Sequence, residues 1–332
     1  MPSELLTVEN LRTYFFTEAG IVKAIDGMSL HVLPGETLGL IGESGSGKTM
    51  TAMSVLRIVP QPGKILDGNI TFAGENLLDK SEKEMMKIRG AKIAISFQDP
   101  SSSLTPVHTV GSQIMEIIRR HEKISKEEAT ERTIELLDKV GIPDPETRVS
   151  SYPHELSGGM KQRIALARAI SCNPTLIFLD EPTTNVDVTI QAQILELLGD
   201  LKKRTKMSMV FISHDMGVIA QMSDRVTIMY AGRVCETADV EDLYKDPRHP
   251  YTEALLTAIP RVERAKGDLS VIPGSIPNLI EPPSGCRFHP RCKYAIAVCK
   301  EKIPVLEDIG DRRCYACWRA DELSLTSPIG KE

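Results

Sequence analysis

Residues Gly42-Glu43-Ser44-Gly45-Ser46-Gly47-Lys48-Thr49 form a G-x-x-x-x-G-K-T loop, a spacing whose chemistry is phosphate binding. Gly42, Gly45 and Gly47 open backbone conformations closed to side-chained residues, so that successive N–H groups from Gly42 through Ser44 to Lys48 can point at phosphate oxygens. Lys48 offers a mobile ammonium to the β- and γ-phosphates, and the Thr49 hydroxyl is a hard ligand for Mg²⁺. A chance Gly-rich turn produces the bare pattern in roughly one chain of this length in a hundred. The apolar run Thr37–Ile41 before it and the helix-compatible Met50–Leu56 after it lower that chance further. The expected ligand is a nucleoside triphosphate.

A second set of residues supplies what such a ligand needs for hydrolysis. Leu176-Ile177-Phe178-Leu179 runs into Asp180-Glu181, and a buried strand delivers acids at its C-terminal edge, where open α/β sheets bind ligands. Asp180 suits Mg²⁺, and Glu181 suits a water attacking the γ-phosphate. Leu156-Ser157-Gly158-Gly159-Met160 opens a helix whose exposed N-terminus is a further anion site. With one phosphate loop per chain, that site most simply serves a nucleotide held by another subunit. Phe211-Ile212-Ser213-His214 ends a strand with a histidine able to bond a γ-phosphate.

Seven cysteines divide unevenly: Cys172 and Cys235 stand alone, while Cys286, Cys292, Cys299, Cys314 and Cys317 crowd the last fifth. A chain without an export signal is expected in a reducing compartment, where disulfides are the least expected use. Thiolates favour iron–sulfur clusters or Zn²⁺, yet only Cys314-x-x-Cys317 has the knuckle spacing of a zinc ribbon. Cluster, zinc and merely buried thiols all stay open on spacing alone.

The elements that must position these residues follow from the apolar pattern. Leu5–Val8, Val22–Ile25, Ala91–Phe97, Leu176–Leu179 and Ser208–Ile212 are expected strands, and Val226–Tyr230 with Gly232–Glu236 an expected strand pair. Ser125-Lys126-Glu127-Glu128 has capping-box spacing before a helix carried by Ile134, Leu137 and Val140 to Gly141, and Val188–Leu201 suits another helix. Strands alternating with helices argue for an α/β core with a mainly parallel sheet. Residues 100–157 read as a mostly helical insertion. From about 245 the chain becomes rich in proline, including Pro247, Pro250, Pro260 and Pro273, which predicts a separate loop-rich appendage.

A length of 332 residues predicts two or three folding units. Hydrophobic content of 41% and charged content of 26% are those of a globular chain. The net charge of −5, with both signs interspersed, gives no nucleic-acid surface. Neither an export signal nor a bilayer-length apolar stretch is visible, so work at a membrane would depend on partners.

Taken together, the phosphate loop, Gln98 after a strand, Leu-Ser-Gly-Gly-Met, Asp180-Glu181, Asp187 and His214 resemble the ATP-binding-cassette family in order and spacing. The resemblance implies a RecA-like P-loop core with an antiparallel β subdomain over 1–99 and 158–244, a helical subdomain over 100–157, and a cysteine-containing C-terminal domain over 245–332. It implies ATP and Mg²⁺ as ligands, with Thr49 and Gln98 on the metal and Gln98 reporting to a transmembrane partner. Glu181 would be the catalytic base, His214 the switch histidine, Asp187 the D-loop aspartate, and Ser157, Gly158 and Gly159 the signature closing on the other subunit's ATP. Adenine would stack on Phe15, with Tyr14 as the alternative.

Glu43–Gly47, Gln98-Asp99-Pro100, Leu104–Val110, Arg248–Leu256, Ile272-Pro273-Gly274 and Gly285-Cys286 are further similar to the ATPases of dipeptide, oligopeptide and nickel importers. That narrower resemblance implies a paralogous ATPase partner, two permeases, an extracytoplasmic peptide-binding protein and a place on the cytoplasmic face of the membrane. It implies a [4Fe–4S] cluster on Cys286, Cys292, Cys299 and Cys317, the last because Ala316-Cys317-Trp318 matches the fourth ligand better than Cys314 does, with Zn²⁺ as the alternative. Asn185-Val186 departs from the Ala-Leu usual before Asp187. Translation-type cassettes usually carry two copies per chain and repair-type cassettes long coiled coils, and neither feature is present. A vestigial cassette is argued against by Lys48, Thr49, Asp180, Glu181 and His214 together.

Overall fold

The computed structural model describes residues 4–184, 186–259 and 272–327; Asn185 and Pro260 lie outside them. By packing the chain divides into two compact units. One comprises Leu33–Glu36 and Asp79–Ile212, the other Glu4–Val32, Thr37–Leu78 and the described residues from Ser213 onward.

The phosphate-loop unit begins with β1 (Leu6–Thr17), β2 (Gly20–Val32), β3 (Thr37–Ile41), α1 (Lys48–Val55), β4 (Gly63–Phe72) and β5 (Glu75–Asn76). An antiparallel sheet in the order β2-β1-β4-β5 sets Phe15 opposite Val22 on one side and Gly63 on the other. Along β1 the buried residues Leu6, Val8, Leu11 and Thr13 alternate with more open ones, as one covered face requires. The alternation slips once, at Glu9-Asn10, where the register shifts and Asn10 takes a φ of 48°.

The other unit holds α2 (Glu82–Ile88), β6 (Ile93–Ser96), α3 (Pro100–Ser103), α4 (Val110–His121), α5 (Lys126–Lys139), α6 (Pro145–Arg148), α7 (Gly158–Ile170), β7 (Leu176–Asp180), α8 (Val188–Thr205) and β8 (Ser208–Ser213). β6, β7 and β8 run parallel, with Ile93 beside Leu176 and Leu176 beside Ser208. Every residue of β7 and β8 is buried, which is why both read as continuous apolar runs rather than alternating ones. The Ser125 capping box forms as expected, and Gly141 follows α5 at a φ of 72°.

From Ser213 the phosphate-loop unit resumes with α9 (Met216–Met222), β9 (Arg225–Tyr230), β10 (Arg233–Asp239), α10 (Val240–Lys245), α11 (Pro250–Thr257), α12 (Ala297–Glu301), β11 (Glu307–Asp308) and β12 (Cys314–Tyr315). β3 pairs in parallel with β9, and β9-β10-β12-β11 continue antiparallel. The proline-rich tail is therefore no detached appendage. β12 extends the sheet, and Tyr251 and Phe288 pack edge-on against Tyr230 at centroid distances of 4.7 and 5.2 Å. Fully buried Glu236 accepts from the backbone N–H groups of Arg248 and His249, both at 2.9 Å. A tail short of its own apolar residues borrows a core from β9 and β10.

Asp26 ties three parts of this unit together. Its carboxylate accepts from Tyr14 Oη at 2.6 Å, Arg233 Nη2 at 2.8 Å and Arg287 Nη2. Burial pushes its pKa up, but the Tyr14 hydroxyl and the two guanidiniums outweigh that and hold it below the ordinary carboxylate value. Among the described residues, no helix is long and apolar enough to cross a membrane.

Candidate nucleotide site and cysteine cavity

The phosphate loop lies between β3 and α1, as its sequence surroundings predict. Gly45 and Gly47 take φ of 76° and 104°, values that side-chained residues rarely adopt. Gly42 is needed for a different reason: a Cβ there would stand 2.2 Å from Met229 O and 2.5 Å from Ser46 Oγ. Lys48 is buried, and its Nζ donates to Gly42 O at 2.7 Å and Glu43 O at 3.1 Å, so the ammonium is gathered into the loop it serves. Among the described residues Ser46 Oγ is buried with no hydrogen-bond partner, a polar atom of the kind a phosphate oxygen satisfies. Thr49 sits in the first turn of α1, whose N-terminal end favours anions.

In the other unit, β7 ends at buried Asp180 and hands the chain to Glu181. Glu181 has a φ of 46°, rare for a side-chained residue and held by its N–H donating to Ile212 O at 3.0 Å. Its Oε2 accepts from Gln98 Nε2 at 2.7 Å and from Thr184 Oγ1 at 3.0 Å. Gln98 and Glu181, expected from sequence to serve one site, are thus hydrogen-bonded to each other. Thr184 was not singled out from sequence, and its place three residues after an acid at a strand end was the signal for it.

Ser157 caps α7, its Oγ accepting from Met160 N at 3.3 Å. Ser157 and Gly158 are exposed, and a Cβ added at Gly158 would meet nothing within 4 Å. The signature is an open helix N-terminus. Asp187 caps α8 by accepting from Ile190 N at 2.9 Å, and Val188 beside it is 82% exposed. His214 is exposed just after β8, ahead of Asp215, which caps α9. Of the two aromatics, Tyr14 is engaged through its hydroxyl by Asp26, which with burial pushes its pKa up to about 12. Phe15 is half-buried, and its ring stands 2.8 Å from where a Cβ on Gly63 would be. Period-2 alternation sends the two rings to opposite faces of β1.

All seven cysteines are free. Cys286, Cys292, Cys299 and Cys317 line one small cavity with His249, His289 and Trp318, while Cys314 faces Thr237 across the β10–β12 pair. The backbone at Phe288, Tyr294 and Arg319, two residues on, favours the thiolates of Cys286, Cys292 and Cys317, against the larger opposing effect of burial. Gly285 lets Cys286 come close, since a Cβ on it would lie 2.4 Å from Cys299 O. Burial pushes the Cys286 thiol up to about 12 and Cys317 up to about 11, so a cation is needed to hold them as thiolates. The side-chain geometry does not support the expected cluster or zinc site. Among the described residues, no three His, Cys, Asp or Glu side chains form a group that could hold a metal ion, whereas four thiolates on one Zn²⁺ stand about 3.8 Å apart.

Residues 25–184 match the ABC transporter family, and residues 235–299 match the C-terminal region of the oligopeptide/dipeptide transporters. Over 321 residues the chain is 50% identical to a probable peptide ABC transporter ATP-binding protein, y4tR, of Sinorhizobium fredii, covering 96% of both. It is 48% identical over 318 residues to the oligopeptide transport ATP-binding protein OppD of Bacillus subtilis, covering 95% of this chain and 89% of that one. It is 44% identical over 313 residues to the dipeptide transport ATP-binding protein DppD of Escherichia coli, covering 94% and 96%. The dimeric post-hydrolysis structure of the ATP-binding cassette MJ0796 with ADP and Pi superimposes with a TM-score of 0.65 at 26% identity, over 71% of this chain and 98% of that chain. The α/β cassette fold, the phosphate loop at the head of α1 and relatives alike along nearly the whole length agree: this chain belongs to the ABC transporter family, as an ATP-hydrolysing cassette subunit.

Proposed function

We propose that this chain energises import of di- and oligopeptides, as a peripheral subunit on the cytoplasmic face of the membrane. The observation that carries the reading is the match of residues 235–299 to the oligopeptide/dipeptide transporter C-terminal region, together with relatives named for peptide transport. Those names do not favour the nickel alternative. Two permeases carry the substrate, an extracytoplasmic peptide-binding protein delivers it, and a paralogous ATPase completes the pair. The test is reconstitution with the permeases in proteoliposomes: peptide-loaded binding protein should stimulate phosphate release. Stimulation by a nickel chelate and not by peptides would overturn the substrate class.

The residue roles proposed follow chemistry. The loop from Gly42 through Ser44, Gly45 and Gly47 cradles phosphate, Lys48 neutralises the β- and γ-oxygens, and Thr49 supplies an oxygen ligand to Mg²⁺. Glu181 orients and deprotonates water, steadied by Gln98 and Thr184. Gln98 relays nucleotide state to the permeases and has its amide oxygen for Mg²⁺; Asp180 supports the metal, and His214 bonds the γ-phosphate. Phe15 stacks on adenine. Exposed Ser157 and Gly158, with half-buried Gly159, close on the partner's ATP, with Asp187 and exposed Val188 in the same interface.

The four thiols of Cys286, Cys292, Cys299 and Cys317 are proposed to hold a [4Fe–4S] cluster. The support is one shared cavity lined by all four thiols. Zn²⁺ is the alternative occupant of the same four thiols. When bound, the cluster would cross-link the loops of a tail with little core of its own.

A further inference from the structure

Glu43, the second residue of the phosphate loop, has its carboxylate in the grip of Arg291 from the tail. Arg291 Nη1 donates to Glu43 Oε2 at 2.6 Å and Nη2 to Oε1 at 3.0 Å, a two-pronged pair across 248 positions of sequence. Its remaining donors are committed as well: Nε to Pro273 O at 2.8 Å, Nη1 to Tyr230 Oη at 3.2 Å and Nη2 to Ile272 O at 3.3 Å. All five N–H groups of the guanidinium have acceptors. The Arg291 side chain is 5% exposed and that of Glu43 25%, so the charges meet largely out of water. Tyr251 of α11 adds a second hold, its hydroxyl accepting from Glu43 N at 3.0 Å.

A carboxylate one residue into a loop built for polyanions is out of place electrostatically. Left unpaired it would repel a triphosphate, and it would draw Lys48, which reaches the neighbouring carbonyls of Gly42 and Glu43. We infer that Arg291 is a positioning residue for the phosphate loop, neutralising Glu43 and keeping its carboxylate off the phosphates, so that the tail sets ATP affinity. Arg291 directly precedes Cys292 in the chain, so the same short segment lines the cysteine cavity and holds the loop. This rests on the nucleotide reading of the loop.

The experiment is titration of the full-length protein with a fluorescent ATP analogue and Mg²⁺, in low and high salt. Arg291→Ala should weaken binding about tenfold or more, and adding Glu43→Gln to Arg291→Ala should regain most of the loss. Raising the salt should shrink the defect of Arg291→Ala, since its origin is a bare charge. Arg291→Lys, which keeps charge but not the fork, should fall between, and it serves if the alanine variant folds poorly. A merely structural clamp would leave the double variant at least as weak as Arg291→Ala, and that result would overturn the inference. So would unchanged affinity in folded Arg291→Ala or Arg291→Lys. Wild-type protein that binds no ATP would instead sink the nucleotide reading itself.

Discussion

Gln98 Nε2 donates to Glu181 Oε2 at 2.7 Å, so the residue proposed to sense the nucleotide is bonded to the one proposed to activate water. Thr184 shares that oxygen, and the carboxylate is steadied by two donors rather than swinging in solvent. A base held this way presents its lone pairs in one direction.

Replacing that base separates binding from chemistry. Glu181→Gln should bind ATP as wild type does and lose turnover by about 10²-fold or more, because the amide cannot take the proton. Lys48→Ala should instead weaken binding. Phosphate release set against nucleotide titration distinguishes them, and near-normal release by Glu181→Gln in the assembled transporter would remove Glu181 from the role.

The exposed signature predicts a defect in assembly rather than in local binding. Ser157→Arg places bulk and charge on the open N-terminus of α7 and removes its cap. Isolated protein should still bind ATP, whereas ATP-induced dimers, trapped in a Glu181→Gln background and sized by light scattering, should disappear. If isolated Ser157→Arg no longer bound nucleotide, Ser157 would belong to the chain's own site.

Anaerobically purified protein should be brown, with broad absorbance near roughly 400 nm from sulfur-to-iron charge transfer. Serine at Cys286, Cys292, Cys299 or Cys317 should bleach it, while Cys314→Ser, on the strand facing Thr237, should keep the colour. Colourless protein with one zinc per chain would retire the cluster. Loss of colour in Cys314→Ser but not in Cys317→Ser would reverse the choice of fourth ligand.

Asp26 makes stability depend on acid. Its folded pKa is depressed, so its contribution is present above the ordinary carboxylate range and is lost as pH falls through the folded value. Asp26→Asn should cost about 3 kcal/mol at pH 7 by leaving Arg233 and Arg287 without their shared carboxylate. The gap between variant and wild type should narrow below about pH 4. Denaturant midpoints at the two pH values check this, and a constant gap would show that the hydroxyl of Tyr14, not charge, carries the effect.

Much of this protein is written in local spacing. The phosphate loop, the acids after β7, the Ser157 cap of α7 and the Ser125 capping box each lie within a few residues, and their geometry follows from short-range hydrogen bonding and backbone preference. The buried runs of β7 and β8 likewise declare a covered parallel sheet. Other features needed the folded chain because their partners are far apart in sequence and no period or motif joins them. Proline content suggested that the tail stood apart, whereas its shortage of apolar residues drives it onto β9 and β10. Spacing left Cys314 and Cys317 as rivals, and strand pairing with Thr237 turned one of them away from the cavity. Nothing in the spacing of the loop motif pairs Glu43 with a residue of the tail. Only tertiary packing brought Arg291 to Glu43, because a carboxylate partly withdrawn from water is stabilised by a cation and the one paired with it is 248 residues away along the chain.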